Sequence, residues 1–139
     1  MRVVLDTNVL VSRFLSPSGA PAQIFAMWER ESFQVVVSTP IIEEYRAALA
    51  YRHVARRHKM TRREIDDVVE AIRLLAIVVE PASRLAVVKG DPEDDKFLEC
   101  AVEGNASCIV TGDRLLLELR RYQGIEILSP AAFVAAVRE

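Results

Sequence analysis

The chain has 139 residues, 51% of them hydrophobic and 27% charged, and a net charge of -2. That content excludes a disordered polymer and predicts one domain, residues 1–139, that buries roughly two thirds of its unfolded surface. No apolar run approaches the ~20 residues needed to span a bilayer, and no signal peptide precedes the first apolar run, so a cytoplasmic protein without membrane association is expected.

Val3, Val4 and Leu5 form a short continuous apolar run that predicts a strand buried on both faces. It ends in Asp6-Thr7-Asn8, after which Val9, Leu10, Val11, Phe14 and Leu15 take helical spacing. A carboxylate at the carboxyl end of a buried parallel strand faces the crevice where open α/β sheets bind ligands. The plainer reading of Asp6 is a helix cap. Ser16-Pro17-Ser18-Gly19 breaks this helix and Pro21 opens a second, whose Ile24, Phe25, Met27 and Trp28 have ordinary core spacing. Phe33 to Val37 predicts the next strand, and Ser38-Thr39-Pro40 a helix start with Thr39 as cap and Pro40 at the first helical position.

At 100° per residue, Ile41, Ile42, Tyr45, Ala48 and Leu49 fall on one stripe of that helix. Glu43 lies opposite the stripe and Glu44 on its flank, leaning toward the sheet. Arg46 to Arg63 then holds seven basic residues and no acidic one, among them Arg52, Arg56, Arg57 and Lys59. Such a run is either a solvated helical face or a contact surface for phosphates or a partner protein. Thr61 and Glu64 form a capping box for a helix through Leu75, and Ile77-Val78-Val79 predicts a strand. Asp91-Pro92 opens a helix with Phe97, Leu98, Ala101 and Val102 as its buried face, stopped by Gly104-Asn105. Ser107 to Val110 is a strand of the first type, ending in Thr111-Gly112-Asp113. Leu115 to Leu119 forms a short helix, Ile125 to Leu128 a last strand, and Pro130 begins a closing helix. Cys100 and Cys108 match neither a redox motif nor a zinc knuckle and are expected to be buried thiols.

Alternating strands and helices imply a parallel sheet with helices on both faces. Its strand-to-helix junctions then share one edge, which receives Asp6, Asp113, Glu44 and the cluster Asp91, Glu93, Asp94 and Asp95. Close carboxylate pairs repel by on the order of 4 kcal/mol at intermediate dielectric. A hard divalent cation, Mg²⁺ or Mn²⁺, relieves that repulsion, whereas His53 and His58 lie away from this edge and argue against zinc. A carboxylate-held ion with no candidate nucleophile points to metal-activated water and phosphodiester hydrolysis.

Asp6-Thr7-Asn8, Ser38 with Glu44 six residues on, Asp94-Asp95-Lys96-Phe97-Leu98-Glu99-Cys100-Ala101, and Thr111-Gly112-Asp113 together resemble a PIN domain. The likeness spans essentially the whole chain and is greatest to VapC-type toxin components of toxin–antitoxin pairs. It implies a three-layer α/β/α fold with a central parallel sheet and Mg²⁺- or Mn²⁺-dependent endoribonuclease activity. It also implies an RNA substrate, a cognate antitoxin and a homodimer. It maps the acidic positions onto Asp6, Glu44, Asp95 and Asp113, with Thr7, Asn8 and Thr111 as supporting polar groups. Helical angles do not separate Asp94 from Asp95; the resemblance selects Asp95. Glu99, one turn later, is a candidate for binding metal through water.

Two rival readings follow from the same residues. One is a non-catalytic PIN-fold module that binds RNA or protein. The other is a haloacid-dehalogenase-type phosphatase with Asp6 as nucleophile, which requires a second aspartate where this chain has Asn8. A dinucleotide-binding domain is disfavoured, since no G-x-G-x-x-G follows a strand.

Overall fold

The computed structural model describes residues 1–81 and 92–138. β1 (Arg2–Leu5) leads into α1 (Thr7–Leu15) and α2 (Ala20–Glu29), and β2 (Gln34–Ser38) follows. α3 (Thr39–Ala50), α4 (Arg52–His58) and α5 (Arg62–Leu75) precede β3 (Ile77–Val79). The second half holds α6 (Pro92–Glu103), β4 (Cys108–Val110), α7 (Arg114–Leu119), β5 (Arg121–Tyr122), β6 (Ile125–Leu128) and α8 (Pro130–Arg138). The class is α/β, with a mostly parallel central sheet flanked by helices.

Among the described residues the strands form one sheet in the order β3-β2-β1-β4-β6-β5. β1 pairs in parallel with β2 and β4, β2 with β3, and β4 with β6, while β5 runs antiparallel to β6. The chain winds outward from β1 to β3, then returns to β4 on the other side of β1. That reversal creates a topological switch point between β1 and β4, the place where open α/β sheets form a crevice. The register sets Leu5 opposite Val110. Asp6 and Thr111 are therefore the first residues past the paired strands, side by side at the crevice.

Val3, Val4 and Leu5 are buried almost completely, as a strand covered on both faces requires. α6 lies against β1, β2 and β4 through Phe97, Leu98, Cys100 and Ala101. At its end the backbone comes so close to β2 that a Cβ on Gly104 would stand 2.5 Å from Val36 Cγ1. Asn105 then takes the left-handed region and ends the helix. α3 buries Ile41, Ile42, Tyr45 and Leu49, leaving Glu43 exposed and Glu44 half-buried. The capping box of α5 forms as expected: Glu64 N donates to Thr61 Oγ1 at 3.1 Å and Thr61 N to Glu64 Oε1 at 2.9 Å.

Two expectations are corrected and one element is added. Ser38, not Thr39, occupies the cap position of α3, and its hydroxyl caps nothing because Ser38 still belongs to β2, paired with Val79. Pro40 is accordingly one position further in, and Thr39 Oγ1 donates instead to Glu80 Oε1 at 2.8 Å. The basic segment is not one helical face: extended Tyr51 separates α3 from α4, and left-handed Lys59 ends α4. Finally, β5 adds an antiparallel edge to the parallel sheet. No helix among the described residues is long and apolar enough to cross a membrane.

Candidate functional site

Asp6 stands where a cap for α1 would stand, yet its carboxylate makes no cap hydrogen bond. It is 5% exposed, and its Oδ2 accepts from Thr111 Oγ1 at 2.5 Å and from Asn8 Nδ2 at 3.2 Å. Its own N–H donates to Val110 O at 2.9 Å, fixing it to β4. One residue back, fully buried Tyr45 donates its hydroxyl to Leu5 O at 2.5 Å. That bond ties α3 to the end of β1, so the helix carrying Glu44 and the strand carrying Asp6 share an anchor.

Thr111 is completely buried and joins the Asp6 carboxylate to the backbone of Asp113. Its hydroxyl donates to Asp6 and accepts from Asp113 N at 2.8 Å. Asn8 bridges in the same sense, donating to Asp6 and accepting from Gly112 N at 3.2 Å. Asp113, half-buried, caps α7: its Oδ1 accepts from Leu115 N at 2.7 Å and Leu116 N at 3.3 Å. The cap that sequence offered as the plain reading of Asp6 is thus found at Asp113.

Glu44 is engaged at both oxygens. Thr7 Oγ1 donates to Oε2, and Lys96 Nζ forms an ion pair with Oε1. Lys96 follows Asp95 on α6, where Asp95 is 4% exposed and Glu99 half-buried one turn on. Sequence reasoning assigned no role to Lys96; its place between Asp95 and the buried Phe97 was the available signal. Asp91 and the side chains of Glu93 and Asp94, the rest of the expected acidic cluster, lie outside the described residues.

Burial is the main reason that the pKa of Asp6 is raised above 3.8, and the charges of Glu44 and Asp113 push the same way. The hydrogen bonds from Thr111 and the Thr7 backbone oppose the rise. A buried carboxylate whose charge is disfavoured by two others is a place where a cation is stabilising. Among the described residues no three His, Cys, Asp or Glu side chains form a group able to hold an ion. Glu44 and Asp113 are turned to Lys96 and to the α7 amides instead. The donor set still fits a hard divalent cation: it is all oxygen, centred on Asp6, and such an ion commonly keeps several waters. Soft metals are disfavoured, because burial pushes both thiols, Cys100 and Cys108, up to about 12.

Arg52, Arg56, Arg57 and Lys59 are exposed on α4 and its end, and among the described residues none is in an ion pair. Arg46 is set apart from them by its ion pair with Asp66. A separate apolar groove of about 640 Å³ is lined by Phe14, Phe25, Trp28, Val68, Ile72 and Leu75, and none of the expected site residues reaches it.

A family model described as the PIN domain matches residues 2–115. The chain belongs to the PIN-domain family. The match runs from β1 into α7 and so takes in Asp6, Glu44, Asp95 and Asp113. An uncharacterized protein of Methanocaldococcus jannaschii is 28% identical over 123 residues, covering 86% of this chain and 76% of that protein. Among solved structures, a chain of VapBC2 from Rickettsia felis, crystallised bound to a DNA fragment from their promoter, is similar with a TM-score of 0.60. The likeness covers 93% of this chain and 98% of that chain at 12% identity, and is therefore one of fold. In this PIN domain the switch point between β1 and β4 joins Asp6, Asn8, Thr111 and Asp113 through direct hydrogen bonds. Thr7, Glu44 and Lys96 form a second linked group beside it.

Proposed function

We propose that this PIN domain is a ribonuclease that hydrolyses RNA phosphodiester bonds with metal-activated water, and that it is the toxin of a toxin–antitoxin pair. The observation that carries the reading is Asp6: a nearly fully buried carboxylate at the switch point, held by Thr111 and Asn8 and spared from capping its own helix. Family membership supports the reaction class. The fold likeness to VapBC2 supports an antitoxin as partner, and a homodimer belongs to the same reading.

Asp6, with Asp95, Asp113 and Glu44, would hold Mg²⁺ or Mn²⁺. Such an ion lowers the pKa of bound water and offsets charge developing on phosphate. Thr111 and Asn8 fix the Asp6 carboxylate, so that it needs little rearrangement to act. Thr7 and Lys96 hold Glu44 in place, and Glu99, half-buried one turn after Asp95, would reach the ion through water. Arg52, Arg56, Arg57 and Lys59, in no ion pair among the described residues, offer charge for the RNA backbone or for an acidic partner.

The second reading, a non-catalytic PIN fold, draws on the engagement of both Glu44 oxygens by the protein itself. End-labelled single-stranded RNA incubated with the protein and Mn²⁺ separates the two. Cleavage is expected, abolished by chelator and by Asp6→Asn with the circular dichroism spectrum unchanged. RNA binding without cleavage favours the binding module, and cleavage indifferent to both chelator and Asp6→Asn overturns the proposed site.

A further inference from the structure

Lys96 brings a positive charge to Glu44, a carboxylate whose own charge acts on Asp6. Its ammonium pairs with Glu44, 52 positions away in sequence. The pair is partly buried, Lys96 being 16% and Glu44 29% exposed. The remaining Glu44 oxygen accepts from Thr7, so the protein itself answers both acceptors of this carboxylate. Asp6 differs: both of its side-chain donors, Thr111 and Asn8, converge on Oδ2. A lysine ammonium is a compact point charge, able to do at one carboxylate what a metal ion would otherwise do.

We propose that Lys96 is the built-in counter-ion of Glu44, competing with a divalent cation for that carboxylate and leaving Asp6, whose side-chain donors both sit on one oxygen, as the main anionic ligand. This rests on the metal reading given above. Lys96 is then a positioning residue, and its effect has a characteristic sign. An ammonium and a divalent cation drawn to one carboxylate repel each other, so removing the ammonium strengthens metal binding. A lysine that merely fastened α6 to α3 would do the reverse, since its loss would loosen the pocket.

The test uses the full chain as wild type, Lys96→Met, Lys96→Arg, Glu44→Gln and the Lys96→Met/Glu44→Gln double variant. In chelator, Lys96→Met is expected to lower the melting temperature, and the double variant to regain part of the loss, because the stranded carboxylate is gone. In calorimetric titration with Mn²⁺, Lys96→Met is expected to bind about tenfold tighter, through the loss of one nearby like charge. Lys96→Arg keeps the wild-type affinity, and the double variant loses the gain. Equal or weaker Mn²⁺ binding by folded Lys96→Met overturns the proposal, as do strictly additive melting shifts. If Lys96→Met does not fold, Lys96→Gln with and without Glu44→Gln is read by the same criteria. Wild type that binds Mn²⁺ with an affinity indifferent to residue 96 leaves the metal reading standing and removes this one. Absence of Mn²⁺ binding in every variant removes both, even where the melting shifts are coupled.

Discussion

Asp6 is ionised at a cost in the folded chain, because burial and then the charges of Glu44 and Asp113 raise its pKa above 3.8. Below that ordinary value both folded and unfolded chains hold the proton, and the residue is neutral to stability. Between it and the raised value the folded chain binds more protons, so stability falls as pH rises; above, the full cost is present. Asp6→Asn, which can still accept from Thr111 and Asn8, should therefore raise the melting temperature at neutral pH in chelator. The gain should fade on acidification toward pH 3.8, the ordinary carboxyl value. Melts across pH check this, and a lower neutral-pH melting point for the variant would show that another term dominates. The adjacent glutamates give a second contrast. Glu43→Gln, on an exposed face, should change stability by less than about 0.5 kcal/mol. Glu44→Gln removes one charge from the pocket and should weaken Mn²⁺ binding, as titration would show. The helical stripe of α3 was enough to tell these two residues apart from sequence. The donors that engage them were not: Lys96 reaches Glu44 from a helix 52 positions on, and no local pattern announces a contact of that range.

Elements were legible wherever an apolar run or a breaker residue marked them. β1, β2 and β4 are built on continuous apolar runs and β6 on Ile125, Ile127 and Leu128, while Pro92 and Pro130 open helices and Pro40 lies in the first turn of α3. Tyr51, which divides α3 from α4, carries no such mark, because an extended conformation there needs neither glycine nor proline. β5 escaped because it has two residues and turns through Gln123-Gly124, both at positive φ, where Asn-Gly would have been the recognisable signal. At α6, Gly104 was read only as a helix stop; its second role is to let the helix end approach Val36. Gly104→Ala should therefore destabilise by about 1–3 kcal/mol, the usual cost of overpacking. Adding Val36→Ala should cost less in that background than alone, since it makes room for the new methyl group. Urea unfolding of the single and double variants measures this coupling, and strict additivity would place the strain elsewhere.

At the scale of the whole molecule, a chain of net charge -2 exposes a basic surface on α4. If RNA lies there, Arg56→Ala with Arg57→Ala should weaken binding and lower the log–log salt slope by about 1.4, the value for two phosphate contacts on a single strand. Filter binding across a salt series reads both quantities; an unchanged slope assigns α4 to a protein partner instead. The sheet bears on association in another way. Among the described residues its two edges are β3, of three residues, and β5, of two. β5 also carries Arg121, tied across the hairpin to Glu126 at 2.8 Å. Edges so short, one of them charged, give a neighbouring chain too few backbone groups to pair with and are poor templates for aggregation. Crowding a cell with this protein should therefore not seed fibrils through these edges.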